Sequence, residues 1–127
     1  MKLLLDTHVL IWFLDDHDRI PNNVKQMIIN PQNERYISIV SFWEIAVKIN
    51  IKKLELNCTL YDLMKIIEAK DFKILPIKIE HLIKHITLPY LHKCPFDRLL
   101  ISTTLSENLH IITSDDKIHK YDVNWLW

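Results

Sequence analysis

The stretch LLLDTHVLIW, Leu3 to Trp12, sets a single carboxylate, Asp6, between two apolar runs. Three consecutive leucines read as a strand buried on both faces, which belongs to a parallel sheet. The apolar residues after Asp6 repeat with helical spacing, so His8 to Leu14 is expected to be a helix. A carboxylate at that junction is costly to desolvate unless a hydrogen bond or a cation compensates it. The chain should therefore contain a partner for Asp6.

The same alternation continues downstream. Pro21 suits the first turn of a helix reaching about Asn30, and YISIV (36–40) is β-branched and aromatic, as strands are. Ser41 is expected to cap a helix over SFWEIAVKINI, and a loop near Leu56 to Cys58 leads into a helix from about Thr59 to Lys70. FKILPI (72–77) reads as a strand, and KIEHLIKHI as a short helix closed by Pro89. Pro95 starts an amphipathic helix, PFDRLLISTTLSENL, and HIIT (110–113) forms another strand, with VNWLW a candidate for the last. Strands alternating with helices predict an α/β protein in three α/β/α layers, with a mainly parallel central sheet. Its length of 127 residues suits a single domain over 1–127.

Composition narrows the function. Sixteen Lys and Arg balance sixteen Asp and Glu, so phosphate neutralisation by the chain alone does not mark a nucleic-acid binder, and bound metal ions would have to supply positive charge. The chain has no glycine, which excludes the dinucleotide fingerprint and the triphosphate loop. Asp6 and His8 interrupt the N-terminal apolar run, so neither a signal peptide nor a membrane span is expected. The two cysteines, Cys58 and Cys94, form no metal-type pair, and a reducing cytoplasm is the simplest location.

Ligands of open parallel sheets bind beyond the carboxyl ends of the strands. Asp6 follows LLL and Asp115, beside Asp116, follows HIIT, while Glu44 and Asp97 lie near the starts of later helices. Each has an ordinary explanation. Asp6 can cap a helix for about 1 kcal/mol. Glu44 can pair with Lys48 at i, i+4. Asp97, in the first turn after Pro95, suits the helix dipole, and Asp115 and Asp116 suit a turn. Together, the four acids would repel one another unless a hard cation such as Mg²⁺ or Mn²⁺ joined them.

The ordered set LLLDTHVLIW, SFWEIAVK, PFDRLLIS and IITSDD resembles the four acidic motifs of the PIN-domain family, in the branch of VapC-like toxins from bacterial toxin–antitoxin pairs. The resemblance covers essentially the whole chain. It implies a metal-dependent endoribonuclease with one or two Mg²⁺ or Mn²⁺ ions, held by Asp6, Glu44, Asp97 and Asp115, with the Thr113 hydroxyl in support. Asp6 would then be paired with the shared cation. It also implies in-line hydrolysis leaving a 5′-phosphate and a 3′-hydroxyl, a homodimer, and a small antitoxin that covers the site. Lys48, His92, Lys93 and Arg98 are candidates for touching substrate phosphates. Trp12, Trp43, Trp125 and Trp127 suit either base stacking or apolar packing, and Trp12–Phe13 and the Trp43 helix are candidate dimer surfaces.

One position departs from the branch. HxDPFDR becomes HKCPFDR, so Cys94 stands where an acid would cap the helix. That keeps a second reading open, a catalytically impaired PIN-like module that binds RNA or a partner. A haloacid-dehalogenase phosphatase would need an Asp two residues after Asp6, where His8 stands, and a receiver domain would need an acidic pair beside Asp6.

Overall fold

The computed structural model describes residues 1–127. β1 (Lys2–Leu5) lies at the centre of a five-stranded sheet. β2 (Glu34–Ser38) and β3 (Lys73–Leu75) extend it on one side, and β4 (His110–Ile112) and β5 (Trp125–Leu126) on the other. Every neighbouring pair is parallel, and Leu5 sits level with Ile37 on one side and Ile112 on the other. The strand order β3-β2-β1-β4-β5 reverses direction between β1 and β4. In open parallel sheets that reversal leaves a crevice at the carboxyl edge.

Both faces of the sheet are covered, as the leucine run requires. Leu3 and Leu5 join one core with Ile37 and Ile112, while Leu4 joins a second with Ile111. The first core takes in α1 (Thr7–Leu14), α2 (Asn22–Ile29) and α4 (Leu60–Ala69) through residues such as Leu10, Ile28 and Ile67. The second takes in α6 (Pro95–Ser106) and α7 (Asp116–His119) through Leu100, Ile101 and Ile118. α3 (Ile39–Asn50) bridges the two, with Phe42 and Ile45 in the first and Val40 in the second. α5 (Ile79–Ile86) packs on α6, where Ser106 Oγ donates to the Glu80 carbonyl at 3.2 Å.

Three features differ from the expectation. β2 ends and α3 begins earlier than predicted, because Ser38 rather than Ser41 is the cap and its Oγ accepts from the Val40 amide at 3.0 Å. Ser41 is buried inside the helix, where it accepts from the Thr7 hydroxyl at 3.0 Å. β3 shrinks to three residues because Pro76 has no N–H to extend an edge ladder. α7 was not predicted, since four residues are too few for a periodic pattern.

A chain without glycine must end its helices in another way. α1, α3, α4 and α6 are each followed by one left-handed residue, Asp16, Lys52, Asp71 and Asn108, with φ between 50° and 63°. Asp and Asn tolerate that region; lysine has no such advantage. Lys52→Gly is therefore expected to stabilise the fold by roughly 0.5–1 kcal/mol. Thermal unfolding followed by circular dichroism should show a midpoint a few degrees higher, and an unchanged or lower midpoint would contradict this account.

A second expectation concerns the α5–α6 contact. The fully buried His81 accepts the Lys78 amide on Nδ1 at 3.2 Å, so Nε2 carries the proton it donates to Glu107 Oε1 at 2.8 Å. This bond, and then Lys78 at 3.1 Å, hold the Glu107 carboxyl below its ordinary value of 4.5. A carboxyl lowered in the native state contributes stability above its unfolded value, and the contribution disappears as pH falls through the native one. Glu107→Gln is expected to flatten the loss of stability below about pH 4.5 in urea titrations, while the wild type weakens there.

Candidate active site

Asp6 leaves the end of β1 and caps α1. Its amide donates to the Ile112 carbonyl at 3.1 Å, and its Oδ1 accepts from the Val9 amide at 2.8 Å. Its Oδ2 accepts from the Thr113 hydroxyl, across the β1–β4 reversal. Only 4% of Asp6 is exposed. Burial pushes its carboxyl up to about 6, against the pull of those two donors, and the nearby Asp97 charge adds to the rise. Within the chain, the hydrogen-bond partners of Asp6 are therefore Thr113 and Val9.

Thr113 serves two acids. It is fully buried, and its Oγ1 also accepts from the Asp115 amide at 3.1 Å, which sets the turn that carries Asp115. Asp115 in turn caps α7 by accepting from the Lys117 amide at 2.9 Å. Asp116 points to solvent.

Glu44 and Asp97 arrive from α3 and α6. The polar strip of Ser41, Glu44 and Lys48 on α3 faces inward, and Glu44 is 5% exposed. The i, i+4 pair with Lys48 does form, at 2.9 Å. Asp97, in the first turn of α6, receives His92 Nε2 on its Oδ2 at 3.2 Å. Burial raises its carboxyl above the ordinary range, and the charges of Asp115 and Glu44 raise it further. Asp97 thus lies within electrostatic reach of the other three acids.

Glu44, Asp97 and Asp115 line one cleft of about 600 Å³ together with His8, Lys48, His92, Lys93, Cys94, Phe96 and Lys117. Asp6 lies behind this lining, bound to Thr113. A second hollow of about 340 Å³, between α1, α3 and α4, is mainly apolar and contains none of the four acids. As they stand, no three His, Cys, Asp or Glu side chains converge closely enough to hold a metal ion. Three of the acids have a donor of their own instead: Thr113 on Asp6, Lys48 on Glu44 and His92 on Asp97. The donor set still fits a hard divalent ion in kind, since it offers carboxylate oxygens that disfavour one another's charge.

Of the phosphate-contact candidates, Lys48, His92 and Lys93 reach the cleft and Arg98 does not. Arg98 is 6% exposed, and its Nη1 donates to the Pro89 carbonyl at 2.9 Å and the Tyr121 hydroxyl at 3.0 Å. The expectation that it touches substrate is corrected: a side chain so enclosed holds the protein together. Lys117 and Phe96 also line the cleft and were not singled out, although both neighbour the acidic motifs. Tyr121 carried no sequence signal, lying 29 residues from the His92 ring it contacts.

Cys94 precedes α6 without making a side-chain cap. Burial pushes its thiol up, so it remains S–H. Of the tryptophans, Trp43 is 49% exposed and packs edge-on against Phe96 at 4.7 Å, so it is not a core residue. Trp12 packs near His8 and Trp127, and Trp125 stacks on His119 at 3.5 Å.

Comparison with known proteins agrees with this architecture. A search of curated protein sequences found no match. Among solved structures, VapBC2 from Rickettsia felis, bound to a DNA fragment from its promoter, superposes with a TM-score of 0.74 at 17% identity, covering 99% of this chain and 98% of that one. VapBC-1 from nontypeable Haemophilus influenzae superposes at 0.70 with 16% identity, over 99% and 97% of the two chains. The PIN domain endonuclease Utp24 gives 0.53 at 14% identity, over 93% and 74%. At these identities the likeness is one of fold. The PIN domain family model matches residues 3–124. With nearly all of its length matched and the acidic motifs in order along a parallel sheet, the chain belongs to the PIN-domain family.

Proposed function

We propose that this chain is a single-domain, metal-dependent endoribonuclease, the toxin of a toxin–antitoxin pair. What supports the reading is that Glu44, Asp97 and Asp115 line one cleft, with Asp6 held by Thr113 across the β1–β4 reversal, the edge where α/β sheets bind their ligands. PIN domains are in general nucleases that use divalent metal ions. Asp6, Glu44, Asp97 and Asp115 would hold one or two Mg²⁺ or Mn²⁺ ions. Such ions, when bound, supply an activated water and neutralise charge on the phosphate and the leaving oxygen. Lys48, Lys93 and Lys117 give the cleft positive charge for the RNA backbone, and Thr113 keeps Asp6 and Asp115 in register. A protein of balanced net charge thus has a local basic rim around its acids.

A small antitoxin as partner is supported by the likeness to VapBC structures, and a cytoplasmic location by the two unpaired cysteines. No helix is long and apolar enough to cross a membrane. To the two candidate homodimer surfaces first considered, Trp12–Phe13 and the Trp43 helix, the fold adds a third. α5 exposes Ile79, Leu82, Ile83 and Ile86, the last 82% accessible, a larger unpartnered apolar face than Trp12–Phe13 offers.

A second reading, an impaired module that binds RNA or a partner, has one observation in its favour: three of the acids are already satisfied by their own donors. Incubating the protein with total RNA and Mg²⁺ or Mn²⁺, with and without EDTA, separates the two. Cleavage that EDTA abolishes, leaving 5′-phosphates, is expected. Asp97→Asn should lower it at least about 100-fold without altering the circular dichroism spectrum. Equal cleavage by the variant, or ends carrying a 2′,3′-cyclic phosphate, would reject the metal-dependent reading. In sedimentation, Ile83→Asp should convert a dimer to a monomer, and a monomeric wild type at micromolar concentration would remove the dimer from the proposal.

A further inference from the structure

We infer that His92 is a positioning residue for Asp97, and that Tyr121, held by Arg98, selects the ring tautomer that makes it one. The catalytic consequence rests on the nuclease reading above; the tautomer rests on geometry alone.

The inference follows from counting protons. Arg98 can only donate, and its Nη1 lies 3.0 Å from the Tyr121 hydroxyl oxygen. The same atom donates to the Pro89 carbonyl at 2.9 Å, while the guanidinium lies over the Tyr90 ring at 4.9 Å, so the side chain is tied down on three sides. With its oxygen accepting from Arg98, Tyr121 has one proton to give. His92 Nδ1 lies 2.8 Å from that hydroxyl. An Nδ1 that accepts must leave the ring proton on Nε2, and Nε2 faces Asp97 Oδ2 at 3.2 Å. The bonds then run in one direction, from Arg98 through Tyr121 and His92 to Asp97.

The opposite tautomer fails at both ends. It would put a nitrogen lone pair against a carboxylate oxygen at 3.2 Å, and it would leave the Tyr121 proton without an acceptor while two donors competed for its oxygen. A doubly protonated ring would likewise bring a second cation to the hydroxyl that Arg98 already holds. Burial makes such mismatches costly, since Arg98 is 6% and Tyr121 4% exposed. The His92 and Tyr121 rings also meet edge-to-face at 5.4 Å, which limits rotation of the imidazole.

The arrangement links three parts of the chain. Tyr121 follows α7, which Asp115 caps; Arg98 sits on α6 next to Asp97; His92 lies on the segment that enters α6. His92 therefore holds one Asp97 oxygen in a fixed direction and ties that direction to the element carrying Asp115. Partners that orient a ligating carboxylate typically contribute 10- to 100-fold to metal affinity or activity.

The test begins with the unmodified chain. A long-range ¹H–¹⁵N spectrum of the uniformly labelled protein reports the tautomer of each histidine, with His92 assigned by the signals missing from His92→Gln. The Nε2–H form is expected for His92, and an Nδ1–H ring overturns the inference directly. Tyr121→Phe should shift His92 towards a mixture of tautomers, weaken Mn²⁺ binding about tenfold, and lower kcat for RNA cleavage with little change in KM. An unchanged His92 signal in Tyr121→Phe, or unchanged Mn²⁺ affinity and kcat, would overturn it. If Tyr121→Phe does not fold, the wild-type tautomer still decides the proton assignment, and Arg98→Lys, which retains a donor towards Tyr121, should keep the Nε2–H form. Wild-type protein that shows the expected tautomer and cleaves no RNA would overturn the nuclease reading and not this one.

Discussion

The structure depends on burying one carboxylate at the centre of a parallel sheet. Asp6 ends the middle strand, and desolvation at that position is strong enough to raise its carboxyl to about 6. The fold meets that cost with a helix amide and a hydroxyl from across the strand-order reversal, Val9 and Thr113. Because Thr113 also accepts the Asp115 amide, satisfying Asp6 fixes the loop after β4 as well. Two acids more than a hundred residues apart in sequence are held by one hydroxyl. This bond decides which side chains stand at a crevice that many α/β sheets possess.

The remaining acids are controlled in the same way, by neutral or cationic groups supplied one at a time. Lys48 lies against Glu44, and His92 and the Cys94 thiol against Asp97. Asp97 still feels Glu44 and Asp115 as repulsion. An entering cation would relieve that repulsion and compete with Lys48 for Glu44, while His92 keeps its hold on one Asp97 oxygen. Lys48 would then be free to turn towards phosphate, a change of partner that its place on the cleft wall allows.

Much of this was legible in the sequence, and what was missed has physical causes. The leucine run, the acid after it and the helix beyond could be read because strand burial and helical period are local signals, and the sheet bears them out. The start of α3 was misplaced by a few residues because Ser38 and Ser41 are equally good caps in isolation. Only the buried hydroxyl of Thr7, which uses Ser41, decides between them. Arg98 was expected in the cleft because arginine is usually exposed and pairs with phosphate. Its actual partners, Tyr121 and the Pro89 carbonyl, are set by tertiary packing. The i, i+4 spacing did identify the Glu44–Lys48 pair, but periodicity could not say that the pair faces a cleft and not solvent.

Cys94 shows how such a site can lose an acid and keep its organisation. An acid before Pro95 would cap α6 and add a negative charge beside Asp97; the cysteine makes no side-chain cap, at a cost of about 1 kcal/mol. Asp97 in the first turn retains the favourable dipole interaction, so the start of the helix is not left without negative charge. The thiol, kept protonated by burial, also removes a charge from the local interaction. Where a carboxylate would repel Asp97, a neutral thiol does not. The exchange lowers the negative charge that any cation must balance, and it leaves Asp97 oriented by His92. In this chain the geometry of that acid is therefore set more by hydrogen bonds and less by mutual repulsion.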